Sequence, residues 1–260
     1  MFQPFAFQGT KALWTPADFT DIKYWWTADA GVFKAGGAVF SWVDQIAGFN
    51  MQQPTSGNSP GTGTSAALNG ETTIKFNGTS DYLYTTTSPQ SQPVGADLTI
   101  LSVFNLIDTR TGGALVSGIQ LTGSGPRFII DTLNDSIRIF NQNYPIPGSG
   151  PATMETSPAT TGARALKWRY DSSAGDSYYA LDTLTESSLS TGGSTGTNTW
   201  STGVTIAMGA TLNSTGGTVF GSRYVEMEVA EQIWIETTPS VTEMGEWKTY
   251  VNNKYGTIIA

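Results

Sequence analysis

Cysteine and histidine are both absent from the 260-residue chain, and these two absences remove whole classes of chemistry. Without histidine there is no Ser-His-Asp or Cys-His nucleophile system. Without either residue there is no zinc site of the usual nitrogen and sulfur type, and no disulfide framework. Charge is scarce as well: 13% of residues are charged, and 13 Lys+Arg against 21 Asp+Glu leave a net charge of -8. That balance gives no basic footprint for nucleic acid. No run of residues approaches the roughly 18 apolar positions of a membrane span. The opening residues, Met1 to Gln8, lack a basic n-region and a sustained apolar h-region, so the expectation is a product made in the cytoplasm without an export signal. What chemistry remains must rest on carboxylates, hydroxyls, Lys, Arg or the backbone.

Apolar residues make up 38% of the chain, with eight Trp, ten Tyr and twelve Phe, which is enough to build a core. Short β-branched and aromatic runs recur between clusters of Gly, Pro, Asn, Asp and Ser, the pattern of a sandwich. Strands are expected at 72–76, 97–107, 114–121, 127–131, 136–141, 164–171, 177–184, 204–210 and 223–236. In the 164–171 stretch Leu166, Trp168 and Tyr170 alternate with Ala165, Lys167 and Arg169, which predicts one buried and one wet face. Such alternation belongs to antiparallel sheets. The Gly/Ser/Thr-rich stretches 54–66, 148–162 and 190–203 read as long surface loops. The fold class expected is therefore all-β: an antiparallel two-sheet jelly-roll sandwich in one domain, 15–260, behind an N-terminal arm, 1–14.

Two helices are predicted. Thr15-Pro16-Ala17-Asp18 supplies an N-cap hydroxyl, a proline at the first helical position and an acid in the first turn, and starts a short helix. Ser240-Val241-Thr242-Glu243 is a capping box, followed by a stripe of Val241, Met244, Trp247 and Val251 and a stop at Gly256. That stripe is expected to dock on the sandwich.

Three groups of residues are candidates for function. Glu226, Glu228 and Glu231 lie close together in one predicted strand: Glu226 and Glu228 share a face, and a bulge before Glu231 would bring the third carboxylate beside them. Without the bulge, Glu231 joins the apolar face as a buried structural acid. Asp29, Asp44, Asn77 and Asp81 carry the hard oxygen donors that calcium takes, but no EF-hand spacing is present. Their structural reading is turn chemistry, with Asn77-Gly78 forming a tight hairpin and Asp81 capping its donors. Among the aromatics, Trp25, Trp42, Trp168, Trp234 and Trp247 sit in periodic segments and read as core. Trp200 stands alone in a polar run, and Tyr144 and Tyr179 raise the same possibility of an exposed stacking role. Of the adjacent pair Tyr178-Tyr179, one must face out.

Four segments, in order, resemble the concanavalin A-like, LamG-type jelly-roll domains of phage virion and bacterial surface proteins. They are Tyr24-Trp25-Trp26-Thr27-Ala28-Asp29-Ala30, then Val39-Phe40-Ser41-Trp42-Val43-Asp44-Gln45 with its Trp-x-Asp element, then Ile74-Lys75-Phe76-Asn77-Gly78-Thr79-Ser80-Asp81-Tyr82-Leu83, and last Ala230-Glu231-Gln232-Ile233-Trp234-Ile235 continuing to Lys254-Tyr255-Gly256. Together they span 24 to 256. The chain departs from the family at Ile46-Ala47-Gly48, where Ser-Gly is commoner, and in the segment up to Lys11, which matches nothing in the domain. The glutamate run is also similar to the catalytic strand of laminarinase-type endo-glucanases, although its central residue is Glu instead of Asp and the aromatic surroundings of that motif are missing. The resemblance implies a non-enzymatic virion structural, decoration or fibre protein at the virion surface, presenting a lectin-like face to cell-surface glycan. It implies no cofactor, with calcium as the alternative. Implied partners are other virion proteins, gripped by the N-terminal arm, and further copies of the chain in a symmetric homo-oligomer such as a trimer. The alternatives are a free carbohydrate-binding module and a β-glycanase using Glu226, Glu228 and Glu231.

Overall fold

The computed structural model describes residues 13–85, 97–108, 114–120, 127–133, 136–141, 152–156, 161–171, 173–174, 176–189, 204–212 and 219–260. Strands numbered in chain order form two antiparallel sheets. The first runs β15 (Ser187–Leu189), β14 (Asp176–Leu181), β13 (Gly162–Asp171), β8 (Leu98–Leu106), β19 (Glu226–Ile235), β6 (Glu71–Asn77) and β5 (Gly61–Ser65). In that sheet β1 (Ile22–Thr27) lies against the second half of β19, in line with β6 on the same side. The second sheet runs β12 (Ala152–Thr156), β11 (Ser136–Asn141), β10 (Arg127–Leu133), β9 (Ala114–Gln120), β16 (Val204–Met208), β7 (Leu83–Tyr84), β4 (Asn50–Gln52), β3 (Ala38–Val43) and β2 (Val32–Ala35). A separate two-stranded ribbon joins β17 (Ala210–Leu212) to β18 (Val219–Tyr224).

The two sheets bury alternate residues between them. Trp26, Trp168 and Trp234 from the first sheet meet Trp42 and Met51 from the second, all essentially inaccessible to water. Each indole removes about 200 Å² from solvent, worth on the order of 5 kcal/mol, so this aromatic layer dominates the attraction between the sheets. The Trp-x-Asp element works as structure. Trp42 donates its indole N–H to the Thr27 carbonyl at 2.9 Å, tying the sheets together. The Asp44 carboxylate accepts from the backbone N–H groups of Ile46, Ala47 and Phe49, which folds the Ile46–Gly48 turn.

A second apolar layer lies on the outer side of the first sheet, under helix α1 (Val241–Tyr255). The capping box forms as expected: the Ser240 hydroxyl accepts from Glu243 N at 3.2 Å, and the Glu243 carboxylate accepts from Ser240 N at 2.8 Å. The stripe that docks is Met244, Trp247, Val251 and Tyr255, while Val241 is 91% exposed. Val241 is the first residue of the helix and lies one turn before the sheet surface that the stripe covers. Because α1 covers Ala165, and Glu186 closes over Lys167 at 2.7 Å, the second face of β13 is buried and not wet.

Several expectations change. The turn at 15–18 is a single 3-10 turn, Pro16–Asp18, that leads directly into β1. Two stretches read as loops contain strands: β5 on the edge of the first sheet and β12 on the edge of the second. Both are edge positions, where pairing on one side asks little of side chains. The stretch 190–203 lies outside the described residues, as do Tyr144, Trp200 and residues 1–12 of the expected arm. Trp14, placed in that arm, packs edge-on against Phe19 at 5.0 Å and Tyr250 at 6.0 Å.

The expected hairpin at Asn77-Gly78 is instead a crossover from one sheet to the other, since β6 and β7 belong to different sheets. The Asn77 side-chain oxygen accepts the backbone N–H groups of Thr79, Ser80 and Asp81, which coils the chain where a two-residue turn would reverse it. A two-residue reversal does occur at Gly36-Gly37 between β2 and β3. Both residues there have positive φ, 58° and 89°, which L side chains resist.

Candidate functional site

The three glutamates of β19 do share one face of the sheet, and a bulge is the reason. Val229 stands opposite Phe104 and Glu231 opposite Val103, so Ala230 is an extra residue that shifts the alternation of the strand. Met227 and Val229 before the bulge, and Trp234 after it, point into the inter-sheet core, whereas Ile233 and Ile235 point towards α1. Glu228 and Glu231 thus both face away from the inter-sheet core, on the side of α1.

Along that face exposure falls from the partly exposed Glu226 through Glu228, at 8%, to the sealed end of the strand. Glu231 has no exposure at all. The Tyr250 hydroxyl donates to its Oε1, the Lys254 ammonium donates to the same oxygen at 3.1 Å, and Lys254 also reaches Asp29 at 2.8 Å. Burial raises the Glu231 carboxyl above the ordinary carboxylate value, with the Lys254 charge and the hydroxyls of Tyr250 and Tyr255 pulling against it. Burial alone would depress Lys254, but the Glu231 charge and the Asp29 bond win and raise it. Glu228 is paired with Lys75 at 2.7 Å and accepts from Asn105 at 2.8 Å. Burial pushes Glu228 up, yet its bonds from Lys75 and Asn105 outweigh this and hold it below the ordinary value. Retaining hydrolysis needs two carboxyls reaching one substrate, with the acid raised. Here the raised one is sealed beneath α1 and already bound by a lysine.

The calcium candidates are engaged locally. Asp44, Asn77 and Asp81 cap turns, Asp81 accepting from Asn77 N at 3.2 Å and from the Ser80 hydroxyl at 3.0 Å. Asp29 holds Lys254. Among the described residues no group of three or more acidic side chains converges on a point. Of the adjacent tyrosines, the outward one is Tyr178, whose ring carries the Arg169 guanidinium 4.1 Å above its centre. Tyr179 stands opposite Trp168 and packs, partly buried, against the core.

The open surface lies on the second sheet. Phe33 stands opposite Ser41, Ser41 opposite Gln52, Gln52 opposite Tyr84, and Tyr84 opposite Ala207, so the five form one row across five strands. Their chain neighbours Trp42, Met51, Leu83 and Met208 fill the inter-sheet core, which places the row on the outer face. Phe33 is 52% exposed and Phe40 44%, with ring centres 6.5 Å apart. Phe40 is the bulged residue of β3, which turns it outward beside Phe33. The Ser41 hydroxyl donates to Asn50 at 2.8 Å. At the other end Tyr84 stacks on Tyr82 at 5.8 Å, and Tyr82 meets Tyr224 of the ribbon at 6.5 Å. Burial, with Tyr82 adding, holds the Tyr84 and Tyr224 hydroxyls above the ordinary phenol value, so both stay neutral through the physiological range.

Ser41 and Ala207 are buried, so the row offers the aromatic rings of Phe33 and Tyr84, the Gln52 amide and the Tyr84 hydroxyl, and none of its five members is charged. Such a lining suits a neutral hydroxylated ligand: apolar ring faces take C–H groups, and amide and hydroxyl groups serve as both donors and acceptors. Sequence reasoning missed Phe33, Gln52 and Tyr84. The signals present were the Gly36-Gly37 reversal between two phenylalanines and the alternation Tyr82-Leu83-Tyr84.

No family model and no curated protein matches the sequence. Solved structures do match. Domain 4 of AbnA, a GH43 extracellular arabinanase of Geobacillus stearothermophilus solved with arabinotriose, aligns with TM-score 0.60 at 9% identity, covering 92% of this chain and 100% of that domain. The binding domain of Paraclostridial Mosquitocidal Protein 1 aligns with TM-score 0.56 at 9% identity, over 91% of this chain and 53% of that one. Trypanosoma rangeli sialidase aligns with TM-score 0.56 at 11% identity, over 90% of this chain. The likeness is one of fold. This chain spans about a third of the sialidase, 33% of its length. The shared architecture is the two-sheet β-sandwich.

Proposed function

We propose that the chain is a non-enzymatic, glycan-binding β-sandwich that serves as a decoration, fibre or tail component at a virion surface. The carrying observation is the division of labour between the outer faces. On the first sheet Glu231 is sealed beneath α1, while the second sheet carries Phe33, Gln52 and Tyr84, none of them charged, in register on its outer face. The structural likeness to an arabinanase domain solved with arabinotriose, over that domain's whole length, supports the sugar reading. The virion setting rests on the resemblance of the four ordered segments to LamG-type domains of phage proteins, with the segment ahead of Trp14 as the grip on neighbouring virion proteins.

The test combines a glycan array of neutral and charged oligosaccharides with Tyr84→Ala and Gln52→Ala. Binding to neutral glycans is expected, weakened at least tenfold in Tyr84→Ala, and the purified protein should decorate particles or capsid shells. No signal on any glycan removes the sugar reading. Turnover of a β-glucan that disappears in Glu226→Gln removes the non-enzymatic one.

A free carbohydrate-binding module is the second reading, and the full-length alignment with the arabinanase domain favours it over the glycanase. It predicts the same sugar binding with no affinity for particles.

A further inference from the structure

A cleft of about 380 Å³ lies on the far side of the molecule from the sheet-face row, between residues 13–15 and helix α1. Its volume falls within the range of small-molecule sites. Trp14 and Tyr250 meet edge to face at 6.0 Å along one wall. On the helix side Glu246, Thr249, Tyr250 and Asn253 follow at spacings of three and four residues, so they line one stripe facing the cleft. Glu246 and Asn253 make no hydrogen bond to any described residue, and Thr249 spends its proton on the Gly245 carbonyl, which leaves its oxygen free to accept. Lys254 reaches the cleft, but its ammonium is already held by Glu231, Asp29 and Tyr250.

From this arrangement we infer a second saccharide subsite, specific for neutral sugars, in the cleft formed by Trp14, Tyr250, Glu246 and Asn253. The inference rests on the glycan-binding reading and extends it. An aromatic wall beside an unpaired carboxylate and an unpaired amide matches the alternating C–H and hydroxyl surface of a pyranose or furanose. The charge balance sets the specificity. One ammonium, Lys254, stands among three carboxylates, Glu231, Asp29 and Glu246, so an anionic sugar meets net negative charge.

The test is a ¹H–¹⁵N correlation titration of the full chain with arabinotriose, cellotriose and 3′-sialyllactose. At least one neutral trisaccharide is expected to shift amides in 13–15 and 246–254, and 3′-sialyllactose to bind there at least tenfold more weakly. Asn253→Ala and Glu246→Ala alter side chains outside the packed stripe, so both should fold, and each should weaken the α1 response about five- to tenfold, the loss of one hydrogen bond. Shifts confined to residues of the sheet-face row, or variants that titrate like the parent chain, overturn the cleft site and leave the glycan-binding reading standing. No shift in either region with any of the three sugars, together with an empty glycan array, overturns both.

Discussion

Replacing Lys254 by methionine isolates the charge pair that α1 closes over the first sheet. Glu231 is wholly buried, and among the described residues Lys254 Nζ is the one cation bonded to it, at 3.1 Å. Methionine keeps most of the side-chain volume, so the packing around the stem survives and the loss is one of charge. Removing one member of a buried pair costs about 3–5 kcal/mol, because the remaining ion stays desolvated. Tyr250 still donates to Glu231 in the variant, which argues for the lower end, about 3 kcal/mol. For a chain of this size that corresponds to a fall in Tm of roughly 6–12 °C. Glu231→Gln added to Lys254→Met should recover about 2 kcal/mol, since no uncompensated ion then remains.

The same pair sets a dependence on pH. Lys254 is raised in the folded state, so its contribution is complete below the ordinary lysine value of 10.5 and is lost as pH rises through the higher folded value. The parent chain should therefore lose stability above about pH 10.5 more steeply than Lys254→Met. Glu231, with its lysine gone, takes up a proton more readily, and a neutral acid tolerates burial better than an ion. The deficit of the variant should then shrink from pH 7 towards pH 4. Urea unfolding monitored by tryptophan fluorescence at pH 4, 7, 10.5 and 11.5 measures all of this. A deficit within 0.5 kcal/mol at pH 7, or strict additivity of the two substitutions, would refute the reasoning.

Two further outcomes follow from local geometry. Gly209 has φ of 88°, and a Cβ there would lie 2.3 Å from the Phe76 ring and 2.8 Å from the Asp81 carbonyl, so Gly209→Ala should cost about 2–3 kcal/mol in thermal unfolding, whereas Gly48→Ala, with open space around it, should lose only the smaller cost of its positive φ. Burial would raise Glu243, but bonds from Thr20 and Ser240 hold it down at about 2, so its contribution is complete above the ordinary value of 4.5 and is lost as pH falls through about 2; Ser240→Ala should cost about 1 kcal/mol at pH 7 by circular dichroism melts and flatten that acid limb.

Most of the architecture is legible before any coordinates. The capping box of α1 follows from hydrogen-bonding chemistry and forms where expected, and the periodicity of β13 gives its inward face, Leu166, Trp168 and Tyr170, though not the burial of its other face. The misreadings share a cause. β5 and β12 were hidden because edge strands need only one partner and tolerate Gly, Ser and Thr. The crossover at Asn77-Gly78 was hidden because the dipeptide permits a reversal, while the side chain of Asn77, by taking three backbone donors, dictates another path.

The candidate sites divide along the same line. Composition alone excluded histidine and thiol chemistry and disfavoured nucleic acid, since those need residue types or a charge balance that the chain does not have. The β-sandwich with a docked C-terminal helix was likewise written in the periodicity of the chain. Only the tertiary structure decided what faces solvent. The bulge at Ala230 set Glu231 on the side that α1 covers, and strand register aligned Phe33, Ser41, Gln52 and Tyr84, residues drawn from four separate strands. Register and bulges depend on contacts between segments far apart in the chain, and a one-residue shift exchanges the two faces of a strand, so local sequence leaves that choice open.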